Sequence, residues 1–297
     1  MKVLVTGAAG FIGSNIVHAL RGRDVDVRAL VRDPGKGERL ANWGAEVATG
    51  DVTDANSLLA AARGCTHIMH LVAIIRGRPS DFEQTIVVGT RNVLDAARAV
   101  GAERLVQMSA LGVGEHTRTL TPYFAAKWQL EHDVHDSGLE HVIIRPSIVF
   151  GADAGALPML VGQVRLSPVV PVIGSGRARL QPVWVDDVSA HFVAALEHPG
   201  IANQTFDLGG PEQLSWNELY VRIAAALGKR RSLVHIPAGL ARTGARLTEW
   251  LPGSPLSADQ VTMIEDGGDN VVSAELDAAR TFDLPRVPLD EQIKRAC

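Results

Sequence analysis

Short apolar runs alternate with stretches of helical period through the first half of the chain. Residues 3–5 (VLV) form a continuous apolar run, the pattern of a strand buried on both faces of a parallel sheet. Gly7, Gly10 and Gly13 follow in G-x-x-G-x-x-G spacing, and a helical pattern opens at Phe11 and continues to about Leu20. Residues 25–31 and 46–49 read as the second and third strands, 55–62 as a helix and 66–73 as a fourth strand. A period of 3.6 through Phe82, Ile86, Gly89, Val93, Ala97 and Val100 predicts one helix over 82–100. Strands at 104–108 and 142–144 bracket a helix opened by Thr121 and Pro122, as N-cap and first helical residue, and running to about Asp136. Strands and helices alternating in this way predict an α/β fold with a doubly wound parallel sheet of Rossmann type.

From about Gly151 the pattern loosens, with Pro158, Pro168, Pro171 and a Gly174-Ser175-Gly176 turn. Residues 181–185 read as a strand, and Asp186-Asp187 as the cap of a helix reaching about Leu196. A short strand at 205–208 and a helix opened by Ser215, to about Leu227, come next. We read 1–150 as an NAD(P)-binding domain. Residues 151–180 and 201–297 form a smaller α+β lobe for substrate or partner, with 181–200 packing back on the first domain. There is no internal repeat and no low-complexity tract.

The glycine spacing carries a mechanism. Gly7 permits a tight turn out of the strand, Gly10 lets a pyrophosphate approach the backbone, and Gly13 lets the helix lie close on the sheet. Phosphates then meet free N–H groups at the positive end of that helix, so Thr6, Gly7, Gly10, Phe11, Ile12 and Gly13 are candidate cofactor contacts. Val31 stands where an acid would take the adenosine ribose 2′-OH, and Arg32 follows it. That order favours NADP(H) over NAD, because an arginine accommodates a 2′-phosphate. Alternatively Arg32 is a solvated turn residue and Asp33 a helix cap. Asp51, with Val52 after it, lies at a strand end, where it can meet the adenine amino group or cap the helix at 55–62. Leu71, Val72 and Ala73 would line the cofactor at the end of the fourth strand. His67 and His70 point to opposite faces of that strand, which argues against shared metal ligation and for a packed, hydrogen-bonded His70.

Tyr123 and Lys127 stand at i and i+4 on one helix face, in a chain with two tyrosines and with no other lysine between Lys36 and Lys229. A phenol is a weak acid–base catalyst at neutral pH, and a neighbouring ammonium would draw it toward a useful range. Lys127 can also hold the nicotinamide ribose. Ser109, following Met108 at the end of the fifth strand, can bond a substrate oxygen. Asn92 is a polar residue close to the buried face of its helix, able to reach the site or to lie exposed. The three groups make a proton relay beside a hydride carrier. Otherwise Tyr123 is an interface aromatic and Lys127 a solvated charge.

Composition narrows the class. The net charge of −4 shows no basic excess for nucleic acid, and 46% hydrophobic with 21% charged residues is an ordinary globular balance. Two cysteines, Cys65 and Cys297, make neither a metal spacing nor a disulfide framework, which suits a reducing cytoplasm. The chain enters its first strand at once, and no apolar run reaches transmembrane length, so we expect no signal peptide and a soluble cytoplasmic protein. A helix around Leu240, Gly244, Leu247 and Leu251, with Arg242 and Arg246 alongside, carries a stripe that can close the lobe's own core. That is the commoner use of such a stripe; the other is to meet a partner assembly or an anionic membrane. Arg177 and Arg179 can attract an anionic group or sit in a solvated turn. Substrate identity and homo-oligomer formation have no readable signal.

T-G-x-x-G-x-x-G (6–13), Ser109 and Y-x-x-x-K resemble the extended or atypical short-chain dehydrogenase/reductases, with their epimerase/dehydratase-like members. The likeness covers essentially the whole chain. HLVAIIRG (70–77), FEQTIVVGTRNVLDAA (82–97), MSALG (108–112), RPSIVFG (145–151) and QPVWVDDV (181–188) resemble one subgroup more narrowly. It comprises bacterial relatives of the nucleotide-binding accessory subunit of respiratory complex I. The resemblance implies NADP(H) held by Gly7, Gly10, Gly13 and Arg32. It also implies a Ser109, Tyr123, Lys127 triad with Asn92 behind it, and Ala73 with Pro146 and Ile148 flanking the nicotinamide. Only 14 positions separate Ser109 from Tyr123, so the intervening loop (112–120) is shorter than in nucleotide-sugar epimerases and shapes a different substrate mouth. The resemblance leaves three uses of the site: an oxidoreductase, an epimerase or dehydratase, and a non-catalytic NADPH-binding module.

Overall fold

The structure, a computed structural model, describes residues 1–248 and 256–297. The chain begins with β1 (Lys2–Thr6), α1 (Phe11–Arg21), β2 (Asp26–Val31), α2 (Glu38–Asn42), β3 (Glu46–Thr49), α3 (Ala55–Ala62) and β4 (His67–His70). It continues with α4 (Pro79–Phe82), α5 (Gly89–Val100), β5 (Arg104–Met108), α6 (Pro122–His135), β6 (His141–Pro146) and β7 (Val149–Phe150). Then come α7 (Leu157–Leu166), β8 (Val169–Ile173), β9 (Arg179–Leu180), β10 (Val183–Trp184), α8 (Val185–Glu197), β11 (Gln204–Leu208), β12 (Leu214–Ser215) and α9 (Trp216–Ala226). The last elements are β13 (Ser232–Ile236), α10 (Ala238–Thr248), α11 (Ala258–Glu265), α12 (Ala278–Phe282) and α13 (Leu289–Ala296).

Among the described residues, seven strands form the central sheet in the order β11-β6-β5-β4-β1-β2-β3, with every neighbouring pair parallel. The order reverses between β1 and β4, and such a switch point opens a crevice at the strand C-termini. One face packs on α1 and α8 through Ile16, Leu20, Val188 and Phe192, and the other on α3, α5 and α6 through Leu58, Val93, Leu130 and Val134. A third apolar cluster, with Phe150, Leu160, Trp184, Leu219 and Ile293, makes the core of the lobe.

Several elements differ from the sequence reading. The fourth strand ends at His70, not Ala73: Leu71 N still donates to Thr6 O, and the chain then leaves the sheet. The helix expected over 82–100 begins at Pro79 and carries a π-helical stretch, Glu83–Val88, which preserves the apolar face while widening the turn. The strand expected at 181–185 is reduced to β10 at 183–184, with β9 ending before it at Leu180, because Pro182 has no N–H and the Gln181 side-chain amide turns to Gly210 O. Trp184, not Asp186-Asp187, is the N-cap of α8; Asp186 instead accepts from Trp184 Nε1, and Asp187 from Val287 N. The strand expected at 205–208 in the lobe is β11, the edge strand of the central sheet, paired residue for residue with β6. In α10, Ala245 faces a small core with Val261, whereas Leu240 and Leu247 are exposed; Leu251 lies outside the described residues.

Candidate active site

Gly7 adopts φ +72° at the end of β1, the left-handed turn that a side chain would strain. A Cβ on Gly13 would lie 2.1 Å from Gly7 O, so α1 packs directly on the turn. Gly10 is exposed and serves as N-cap of α1 with no side-chain cap, and the first turn carries no acidic residue. The amides of Phe11, Ile12 and Gly13 therefore begin the helix unopposed by a carboxylate, a fit for a pyrophosphate. The Phe11 ring lies over Gly151 and Gly155, where a Cβ would come within 2.6 and 3.0 Å of it.

The adenosine side is assembled from the ends of β2 and β3. Arg32 is 77% exposed, with its nearest carboxylate, Asp51, 4.0 Å away. Asp33 is turned back on Gly35 N as the cap of a short 3-10 turn. Asp51 does not cap α3; Asp54 does, accepting from Asn56 N and Ser57 N, while Asp51 ties its own loop through Thr53 N and Oγ1. Val52 is buried against Gly89, and Asn92 Nδ2 donates to Val52 O at 2.8 Å. Asn92 thus clamps this loop, because the helical turn it occupies faces β3's exit and its amide is spent on that carbonyl.

Below the glycine turn, Thr6 Oγ1, His70 and Thr90 Oγ1 form a buried hydrogen-bonded rod, with contacts of 2.6 and 3.2 Å to the imidazole. Burial, and secondarily the Lys127 charge, push His70 down to about 3, so it is neutral when folded. Its ordinary value is near 6.5, so this contribution to stability is complete above that pH and is lost as the pH falls below it. Between pH 6.5 and 5, His70 should cost about 2 kcal/mol. Thermal melts at pH 7 and pH 5 should show a smaller acid loss in His70→Gln than in the parent; equal losses would reject the assignment.

Ser109 follows β5 and donates its backbone N–H to Ile144 O, which fixes it at the strand end. Its hydroxyl is buried with no hydrogen-bond partner among the described residues. Thr121 Oγ1 accepts from Phe124 N and starts α6, placing Tyr123 and Lys127 on the face toward β5. Lys127 is fully buried, and its Nζ donates to Met108 O at 2.9 Å. Tyr123 packs edge-on to Phe82, 6.4 Å between centroids, inside a cluster that Ile74 and Met263 of α11 also join. Val72 packs against the same cluster, and Ala73 is exposed beside it.

The electrostatics depart from expectation. Burial pushes Tyr123 up to about 12, with no counteracting contribution from Lys127. Burial also brings Lys127 down to about 8, against the pull of the Glu131 carboxylate. With desolvation the one cause acting on the phenol, the resting tyrosine is a neutral acid.

Residues beyond the sequence reading complete the site. Pro146 O accepts from Leu111 N, and Ile148 O from Val183 N. Between them Ser147 Oγ donates to Asn270 Oδ1 at 2.5 Å, while Asn270 Nδ2 donates to Leu111 O at 3.3 Å. A strap from the C-terminal lobe is thus stitched over the ends of β5 and β6. Asn270 lies in an aperiodic loop, which left no sequence signal. Arg177 and Arg179 are exposed, and Arg179 N donates to Asp269. Among the described residues no group of three or more His, Cys, Asp or Glu is placed to hold a metal, and no helix is long and apolar enough to cross a membrane.

The sequence profile of the NAD dependent epimerase/dehydratase family matches residues 3–209. A Stigmatella aurantiaca 4-hydroxy-2-methyl-3-oxo-4-farnesyl-3,4-dihydroquinoline-1-oxide ketoreductase is 30% identical over 272 residues, covering 84% of this chain and 80% of that protein. A ceramide reductase of Caulobacter vibrioides is 30% identical over 251 residues, covering 84% and 78%. Among solved structures, the Escherichia coli NADPH-dependent quinone oxidoreductase complexed with NADPH superposes with a TM-score of 0.79 at 20% identity, covering 98% of each chain. The Thermotoga maritima UDP-glucose 4-epimerase with UDP-glucose gives 0.77 at 21%, covering 100% of this chain and 97% of that one. At such identities these two likenesses speak for the fold alone.

Proposed function

The chain belongs to the NAD dependent epimerase/dehydratase family, and from that premise we propose that it is an NADP(H)-dependent reductase of a carbonyl group carried on an apolar body. The observation that carries the reading is the buried hydroxyl of Ser109, partnerless among the described residues and next in the chain to Met108, whose carbonyl the buried Lys127 bonds. Gly7, Gly10, Gly13 and the first amides of α1 would hold the pyrophosphate. Met108, Pro146 and Ile148 would flank the nicotinamide, and Arg32 would meet the 2′-phosphate. When bound, the nicotinamide supplies a hydride to the substrate carbon. Ser109 donates a hydrogen bond to the substrate oxygen, and Tyr123, neutral at rest, delivers the proton. Lys127 presents its ammonium to the ribose and to the phenol. An apolar substrate is supported by Ile74 and Met263, which pack against the apolar cluster that includes Phe82 and Tyr123, and by the ketoreductase and ceramide reductase relatives.

The test is net oxidation of NADPH, followed by absorbance, against quinones, long-chain ketones and nucleotide sugars. Consumption with the first two classes is the expected result. Isomerisation of a nucleotide sugar without net consumption would establish an epimerase instead. In a fluorescence titration NADPH should bind more tightly than NADH, and Arg32→Ala should remove about 1–3 kcal/mol of that difference. Equal affinities would reject the role of Arg32.

A further inference from the structure

Behind Lys127 lies a buried charge array that the proposed reaction does not use. Glu131 is one helical turn further along α6, on the same face, and 3% exposed. Arg145 of β6 grips it with both prongs, Nε to Oε1 at 2.8 Å and Nη2 to Oε2 at 2.5 Å. On its other side Arg145 faces Asp207 of β11, 3.8 Å away, its register partner across the strand pair. Asp207 Oδ2 accepts from Ser273 N, so the array continues into the strap that carries Asn270. The tails of α6, β6, β11 and the strap therefore meet on one line of alternating charge.

We propose that Glu131 is a positioning residue that keeps Lys127 in its ammonium form, and that Arg145, anchored by Asp207, sets how much of the Glu131 charge Lys127 feels. An ammonium buried within the protein needs a compensating carboxylate, and among the described residues Glu131, one helical turn away on the same face, is the one whose charge supports it. The other polar groups packed around Lys127 offer none: Tyr123 and His70 are neutral, and Met108 supplies only a carbonyl. His135, the next turn of α6, is paired with His141 and lies on the far side of Glu131. By the sign of their charges, Glu131 favours the Lys127 ammonium and Arg145, paired with Glu131, opposes it, whereas the pair itself holds α6 to β6.

That opposition makes the test. The chain has five lysines, Lys2, Lys36, Lys127, Lys229 and Lys294, few enough to follow each side chain by NMR of lysine-labelled protein without cofactor or substrate. In the parent, Lys127 should titrate near about 8, apart from the others. Glu131→Gln should lower its midpoint by about one pH unit or more, Arg145→Gln should raise it, and Arg145→Lys should restore the parent value. A purely structural salt bridge would cost stability in both Gln variants and leave the Lys127 midpoint unmoved, or move it the same way in both; either result overturns the proposal. Should one variant fail to fold, the direction of shift in the other decides. The consequence for turnover rests on the reductase reading, and the lysine titration does not. Loss of turnover in every assay with these shifts intact would refute the reading and leave the inference standing.

Discussion

Replacing Tyr123 by Phe is expected to lower kcat by about 10²–10⁴-fold while leaving NADPH affinity nearly unchanged. The phenyl ring keeps the contact with Phe82 and fills the same buried space, so only the hydroxyl is lost. Because burial holds the phenol at about 12, Tyr123 carries its proton throughout the neutral range and is ready to donate it. Reduction of a carbonyl, which consumes a proton, is the direction this arrangement favours. The rate should be flat below the Lys127 midpoint and fall as pH rises through about 8, where the buried ammonium is lost. Steady-state kinetics of the parent and Tyr123→Phe between pH 6 and 9, with binding measured separately, check both statements. Full turnover in Tyr123→Phe would remove Tyr123 from the chemistry.

The second large effect belongs to Gly13. An added Cβ would stand 2.1 Å from Gly7 O and 3.0 Å from Ala8 Cα, both backbone atoms that no side-chain rotation can move aside. Gly13→Ala must push α1 away from the turn or distort the turn itself. The expected cost is about 1–3 kcal/mol of stability, with loss of measurable cofactor binding because the amides of α1 no longer converge with Gly7. Gly10→Ala should be milder for the fold, since its Cβ would meet only Gly7 O at 3.2 Å, and should act mainly on cofactor affinity. Calorimetry and NADPH titration of both variants separate the two outcomes. A Gly13→Ala protein that binds as the parent does would show that the helix has room the structure does not reveal.

Local pattern was enough for much of this molecule. The run at 3–5, the glycine triplet, the helix at 55–62 and the Thr121-Pro122 start of α6 each follow from a few neighbouring residues, and the structure places them there. The i, i+4 spacing put Tyr123 and Lys127 on one face, because helix geometry links positions four apart without reference to the rest of the chain. What failed were readings that depend on partners far along the chain. Residues 205–208 looked like a lobe strand, yet β11 ladders onto β6 and buries Phe206 and Leu208 in the core of the central sheet, and no local signal encodes that pairing. Asn92 looked free to reach the chemistry, but it meets the carbonyl of Val52, 40 residues earlier. The phenol was expected to be drawn down by its lysine neighbour and is instead held up by burial, a quantity fixed by every element around it.

By itself, then, the sequence determined the alternation of strands and helices, the glycine turn and the shared helix face of Tyr123 and Lys127. These rest on backbone sterics and on periodicities of two and 3.6 residues, which act over a few positions. Only the tertiary structure decided which strand closes the sheet, that Asn270 reaches back to Ser147, and that Glu131, Arg145 and Asp207 stand behind the lysine. Those contacts join residues up to 123 positions apart, and their energies come from desolvation and charge pairing that exist only once the chain has closed around them.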